Sequence, residues 1–144
     1  MKVTRVINLT PHEVTLVRPE GKFVISPLGK AVRMKEVNVA LWEEKIEVSE
    51  GIIIAVPIRV RVYDVANACN EIKEIVKGIR SSPAEPVLVV VPLPLLLQIG
   101  DEELYKLRRR DGIIVVAPDT GATAIREKGQ VVGVDGFVVI SSAQ

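Results

Sequence analysis

Two uninterrupted apolar runs, Val87–Val91 and Ile113–Ala117, constrain this chain more than anything else in it. Runs of strand length without polar alternation suit strands that are covered on both faces. Between them, Asp101-Glu102-Glu103 and Arg108-Arg109-Arg110 bracket a short segment. Acids at the positive end of a helix dipole and cations at its negative end predict a helix over about 101–110. Strand, helix and strand in about thirty residues make a βαβ unit, with parallel strands and a right-handed crossover. Leu95–Ile99, just after Pro92 and Pro94, adds a predicted helical turn.

A second helix is predicted over about 65–78. Val65, Cys69, Ile72, Val76 and Ile79 recur at helical spacing, Asp64 stands at the N-cap, and Gly78 before Ile79 suits a left-handed C-cap. The first fifty residues read as a β-meander. Its turns fall at Thr10-Pro11-His12, Pro19-Glu20-Gly21 and Pro27–Gly29. Val32 with Met34, and Val37 with Val39, alternate with polar neighbours, and Ile46 and Val48 mark a short strand. Gly51–Tyr63 is the longest strand-like stretch. Arg59 and Arg61 alternate there with Ile58, Val60 and Val62, so one face must meet water. After Ala117, Ala122–Glu127 and Gln130–Val134 form a hairpin around Lys128-Gly129, and Val138–Ile140 is a last strand.

The fold class is therefore α+β (mixed α/β). We expect a single compact domain over residues 1–144, with an N-terminal β-meander, a central mixed sheet, two helices and a C-terminal β-hairpin. Hydrophobic residues make up 48% and charged ones 26%, enough for a core without staples and unlike disordered or membrane chains. The net charge of +1 argues against a surface built for nucleic acid. One cysteine rules out an internal disulfide or a multi-cysteine zinc site. Met1–Thr10 lacks a signal-type apolar core, and Pro86–Leu97 is too short and proline-rich to span a bilayer, so a cytoplasmic location is expected. The bias to 25 Val and 15 Ile over 3 Gln and 4 Asn fits a hyperthermophilic source.

Ligands of open α/β sheets gather beyond the carboxyl ends of parallel strands. With Gly51–Tyr63 as the third parallel strand, the loops Tyr63-Asp64, Pro92-Leu93-Pro94 and Pro118–Gly121 converge there. Asp64 and Asp119, with the hydroxyls of Thr120 and Thr123, suit a Mg²⁺ ion that contacts a phosphate. The structural reading of the same residues is an N-cap at Asp64 and an Asx-turn from Asp119 onto the Gly121 amide. His12 is the only histidine. Thr10-Pro11-His12-Glu13 matches a capping box, which gives that segment a turn-stabilising reading beside any acid–base role. Cys69 reads as packing, and Ser141 and Ser142 lack any nucleophile context. Lys106 with Arg108–Arg110 reads as dipole compensation, Arg59 and Arg61 as a solvated face, and no glycine-rich phosphate loop is present.

Asp119–Thr123 also resembles the active-site loop of retroviral-type aspartic peptidases, whose paired carboxylates share a proton across a dimer. Pro118 stands where that loop carries an aliphatic residue, and only 23 residues follow Gly121, too few for the rest of that fold. A second resemblance spans both ends of the chain. Ile7-Asn8-Leu9-Thr10-Pro11-His12 with Val14, Ser26-Pro27, Gly29 and Val32-Arg33 form its first part. Ala117–Gly121 with Ala124, Arg126, Gly129 and Val132-Gly133-Val134 form its second. Together they resemble a group of small uncharacterised proteins of bacteriophages, prophages and related mobile elements. The resemblance implies a virus- or mobile-element-associated accessory protein and brings no activity with it. It also implies that the Thr10-Pro11-His12 turn and the Asp119 loop lie together as a candidate ligand site of His12, Asp119, Thr120 and Arg126. The expected partners are a second copy or another protein, with no cofactor, no nucleic acid and no membrane. The alternative is a metal-dependent hydrolase of a phosphate ester or nucleotide, using Asp64, Asp119 and Mg²⁺.

Overall fold

The computed structural model describes residues 2–32 and 36–141. Met34 and Ser142 lie outside them. In chain order the elements are β1 (Arg5–Asn8), β2 (Val14–Arg18), β3 (Gly21–Ile25), β4 (Glu36–Ser49), β5 (Ile52–Tyr63), α1 (Val65–Lys77), β6 (Val87–Val90), α2 (Leu93–Ile99), α3 (Asp101–Asp111), β7 (Ile113–Pro118), β8 (Ile125–Glu127), β9 (Gln130–Gly133) and β10 (Phe137–Val138). The α+β class stands. No helix among the described residues is long and apolar enough to cross a membrane.

The two apolar runs form the centre of a four-stranded sheet in the order β1-β6-β7-β10. The first three strands are parallel, and β10 closes one edge antiparallel to β7. Successive side chains of a strand face opposite ways, so each run feeds two cores. Val87, Val89, Val91, Ile113, Val115 and Ala117 pack against α1, α2 and α3 through Ile72, Val76, Leu96 and Leu107. Val90 and Val116 face the other way and meet Val14 and Val134 from two hairpins. Those hairpins, β2–β3 and β8–β9, join through Val17 N to Val134 O at 2.8 Å and Val134 N to Thr15 O at 2.9 Å. Helices cover one face of the sheet and hairpins cover the other.

Three local expectations are corrected. The N-terminal strands are not a meander: β1 enters the central sheet beside β6, β2 pairs with β3, and β4 pairs only with β5 among the described residues. The third parallel strand is thus β1 rather than Gly51–Tyr63. The reason is physical, because a strand carrying Arg59, Arg61 and Pro57 would lose solvation and a ladder donor in a sheet covered on both faces. Gly78 is right-handed, with φ −74°, and α1 ends on bonds from Gly78 N to Glu74 O and from Arg80 N to Val76 O. The left-handed cap belongs to Gly112 at the end of α3, with φ 66°.

The amino ends of the strands are tied by charge. Glu85, in the loop before β6, accepts from Arg5 Nε at 2.8 Å and from Ser81 N at 2.8 Å. These bonds, led by that from Arg5, hold the Glu85 carboxyl below its ordinary value of 4.5. A depressed carboxyl adds stability that is present above 4.5 and lost as the pH falls through the lower folded value. Glu85→Gln should therefore be less stable than the wild type at pH 7, with the gap shrinking below about pH 4, as urea unfolding at the two extremes would show.

Candidate functional site

The turn after β1 is organised by Asn8, a residue that the chemistry of the neighbouring Thr10 and His12 conceals. Asn8 is 1% exposed, the one buried polar side chain among the described residues. Its Nδ2 donates to His12 O at 2.9 Å and Ile25 O at 3.0 Å. Its Oδ1 accepts from Thr10 N at 2.9 Å and Thr10 Oγ1 at 2.6 Å. All of its hydrogen-bonding capacity is used, which is what burial of an amide demands. Thr10 Oγ1 bonds both Asn8 Oδ1 and His12 O. That geometry replaces the expected capping box, because β2 starts at Val14 and no helix follows to be capped. The sequence signal was an asparagine inside an apolar strand, a position that needs partners from outside the strand.

The loop after β7 is built from its own groups. Asp119 Oδ1 accepts from Gly121 N at 3.1 Å, the Asx-turn read from the sequence, and Thr123 Oγ1 reaches Oδ2 at 3.4 Å. Arg126 donates to Thr120 O at 3.1 Å and Gly121 O at 3.3 Å, so its guanidinium holds the loop carbonyls. Asp64 accepts from Asn67 N at 2.9 Å as the cap of α1. Neither carboxylate is set beside the other by any bond, and among the described residues no three His, Cys, Asp or Glu side chains come together to hold a metal ion.

The turn after β1, the segment after β6 and the loop after β7 converge beyond the carboxyl ends of the parallel strands. They enclose a cleft of about 340 Å³ roofed by Val131–Val134 of the C-terminal hairpin. Thr10, His12 and Thr120 line it together with Pro11, Pro92, Leu93 and Pro118. Asp119 sits in the adjoining loop and Arg126 on β8, and neither of them nor Asp64 lines the cleft. The walls are mostly apolar with a polar rim, suited to a small group that offers one or two hydrogen-bonding atoms. His12 is exposed, and no hydrogen bond to its ring forms among the described residues, so nothing orients it as a base. Cys69 lies on the buried face of α1, and burial foremost pushes its thiol up, as an inert packing group.

A second surface feature lies elsewhere. β4 and β5 pair from Glu36 with Tyr63 to Ser49 with Ile52, forming a two-stranded arm about 40 Å long at the usual rise per residue. Cross-strand partners share a face. Trp42 with Ile58, Glu44 with Val56, and Ile46 with Ile54 make one face, continued by Val60. Its one charge, Glu44, accepts from Trp42 Nε1 at 3.0 Å. Trp42 is 45% exposed, and Ile46 and Ile54 are each 43% exposed. The opposite face alternates Leu41, Glu43, Lys45 and Glu47 with Arg59, Pro57, Ala55 and Ile53. The sequence reading found the solvated face of β5 but not the second apolar surface, because a strand's partners decide what covers it.

Comparison of this chain with family models, curated proteins and solved structures finds no match.

The Asn8 arrangement makes a stability prediction. Asn8→Leu would remove the Asn8 bonds to Thr10 N, Ile25 O and His12 O, leaving His12 O only its bond from Thr10 Oγ1, and should cost about 2–4 kcal/mol, while Thr10→Val should cost about 1 kcal/mol. A Cβ at Gly133, in the cleft roof, would sit 2.8 Å from Val17 Cγ2. Gly133→Ala should accordingly cost about 1–3 kcal/mol by forcing β9 off β2. Denaturant titration of the three variants checks both statements.

Proposed function

We propose that this is a binding protein, an accessory protein of a virus or mobile element, that acts by docking another protein chain through its β4–β5 arm. The observation that carries this reading is the arm's apolar face. A lone two-stranded ribbon is marginal in water, and an apolar patch of this extent on a surface marks an interaction site. Trp42 at the middle of the patch is the residue type most often found as an energetic anchor at interfaces. The resemblance of the two chain ends to small phage and prophage proteins supports the biological setting. The cleft at the strand ends is a secondary site for a small ligand in this reading. The hydrolase alternative draws no support from Asp64 and Asp119, since each serves a backbone amide of its own turn or helix.

If the arm is a docking element rather than part of the chain's own core, Trp42→Lys with Ile54→Lys should abolish association in sedimentation velocity. The melting temperature of the body should move by no more than about 2 °C, less than a loss of 1 kcal/mol produces. Unchanged association, or a drop in melting temperature of the size that core substitutions cause, would refute the proposal.

A further inference from the structure

The docking reading leaves open what covers the arm, and the ladder of the arm itself narrows the answer. In an antiparallel pair, opposed residues alternate between pairs that exchange hydrogen bonds and pairs whose N–H and C=O groups point outward. The register shifts between Glu47 and Ser49 but is regular from Glu47–Ile53 to Leu41–Arg59, and Pro57, which has no N–H to give the ladder, sits inside that stretch opposite Glu43. Glu43–Pro57 is therefore a non-bonded pair, and by alternation so are Lys45–Ala55 and Glu47–Ile53. Pro57 has no N–H, and here it loses none from the ladder, in keeping with the unbroken register from Glu44–Val56 through Glu43–Pro57 to Trp42–Ile58. The missing donor is on the outer edge of β5. That edge is blunted against a further strand. The outer edge of β4 has no proline, and it presents the outward amides of Leu41, Glu43, Lys45 and Glu47.

Resting on the docking reading, we propose that the occupant is a second copy of this chain, with β4 pairing antiparallel to β4 of that copy across a two-fold axis. Charge along the strand selects this arrangement. Parallel pairing in register would set Glu43 on Glu43, Glu44 on Glu44 and Glu47 on Glu47. The antiparallel register centred on Ile46 instead sets Lys45 of each copy opposite Glu47 of the other, twice per dimer, and no glutamate opposite a glutamate. Unlike charges directly opposed across a ladder stabilise it, and like charges do the reverse. The same pairing joins the two apolar faces side by side into one four-stranded sheet, self-complementary as a two-fold interface requires. That doubled face suits a second such sheet, so dimers and dimers of dimers are the expected species.

Sedimentation equilibrium of the full chain tests this. The wild type should form even-numbered species. Glu43→Pro removes an outward amide without touching the arm's own ladder and should leave a monomer with the body's melting temperature unchanged. Lys45→Glu alone should weaken self-association about tenfold, and so should Glu43→Lys with Glu47→Lys. Mixing those two variants should restore assembly, because each then meets its opposite charge in both contacts. A monomeric or trimeric wild type, or self-association indifferent to Glu43→Pro and Lys45→Glu, overturns the inference. If self-association proves indifferent to Glu43→Pro and Lys45→Glu but the lysine substitutions at Trp42 and Ile54 still abolish it, docking through the arm survives and pairing through β4 alone is wrong.

Discussion

Everything in the body depends on one constraint: β6 and β7 are apolar on both sides and must be covered on both. Val89 and Val90 are adjacent in sequence, face opposite ways and are each fully buried. One layer of helices cannot satisfy both. α1, α2 and α3 take the side of Val87, Val89 and Val91, which leaves Val90 and Val116 to the β2–β3 and β8–β9 hairpins. The segments that follow β1 and β7 are thereby committed to structure. The segment after β1 has to turn at once to bring Val14 over Val90, and the segment after β7 has to turn to bring Val134 there. The convergence of the two loops at one sheet edge follows from that covering requirement.

The same requirement explains why the polar residues of those loops are occupied. Asn8 is drawn under the β2–β3 hairpin, where an amide is tolerated only with all its bonds made, and it uses them to tie Thr10, His12 and Ile25. Asp119 and Arg126 do the corresponding work for the loop that launches the second hairpin. What remains accessible is a shallow apolar cleft with the His12 ring and Thr120 at its rim. A site assembled from parts already holding the fold has little freedom to move protons, and considerable freedom to hold a ligand by shape.

How much of this could be read from the sequence follows from how local each signal is. The βαβ unit was legible because its apolar runs, its acidic start and its Arg108–Arg110 end are all contiguous. The Asx-turn at Asp119 and the cap at Asp64 were legible because each bond closes within three residues. The place of β1 was hidden, since its partner β6 lies about eighty residues away and nothing local says which edge it joins. Asn8 was hidden for the same reason: its bond to Ile25 O links positions that only the folded hairpin brings together. The arm is hidden for the opposite reason. Val37, Val39, Ile46 and Val48 alternate as a half-buried strand does, and alternation shows that a strand has an apolar face without showing that its own chain supplies the cover.

That last point sets the arm apart energetically. The body closes its own core from its own chain. The arm gains only one ladder from the chain that bears it, while ordering a residue costs about 1–2 kcal/mol of backbone entropy. A single ladder with both faces wet recovers little of that cost, so under the docking proposal the arm would draw its order from what binds it. Body and arm are then separate cooperative units. Under the docking proposal, mass action would act on the second alone: a rise in partner concentration would stabilise the arm and leave the β1-β6-β7-β10 sheet unaffected. Binding through such an element is tuned by changing β4 without risk to the core. Under that logic it is an advantage that Trp42 and Ile46 sit on an arm rather than on the face of a helix that the body needs.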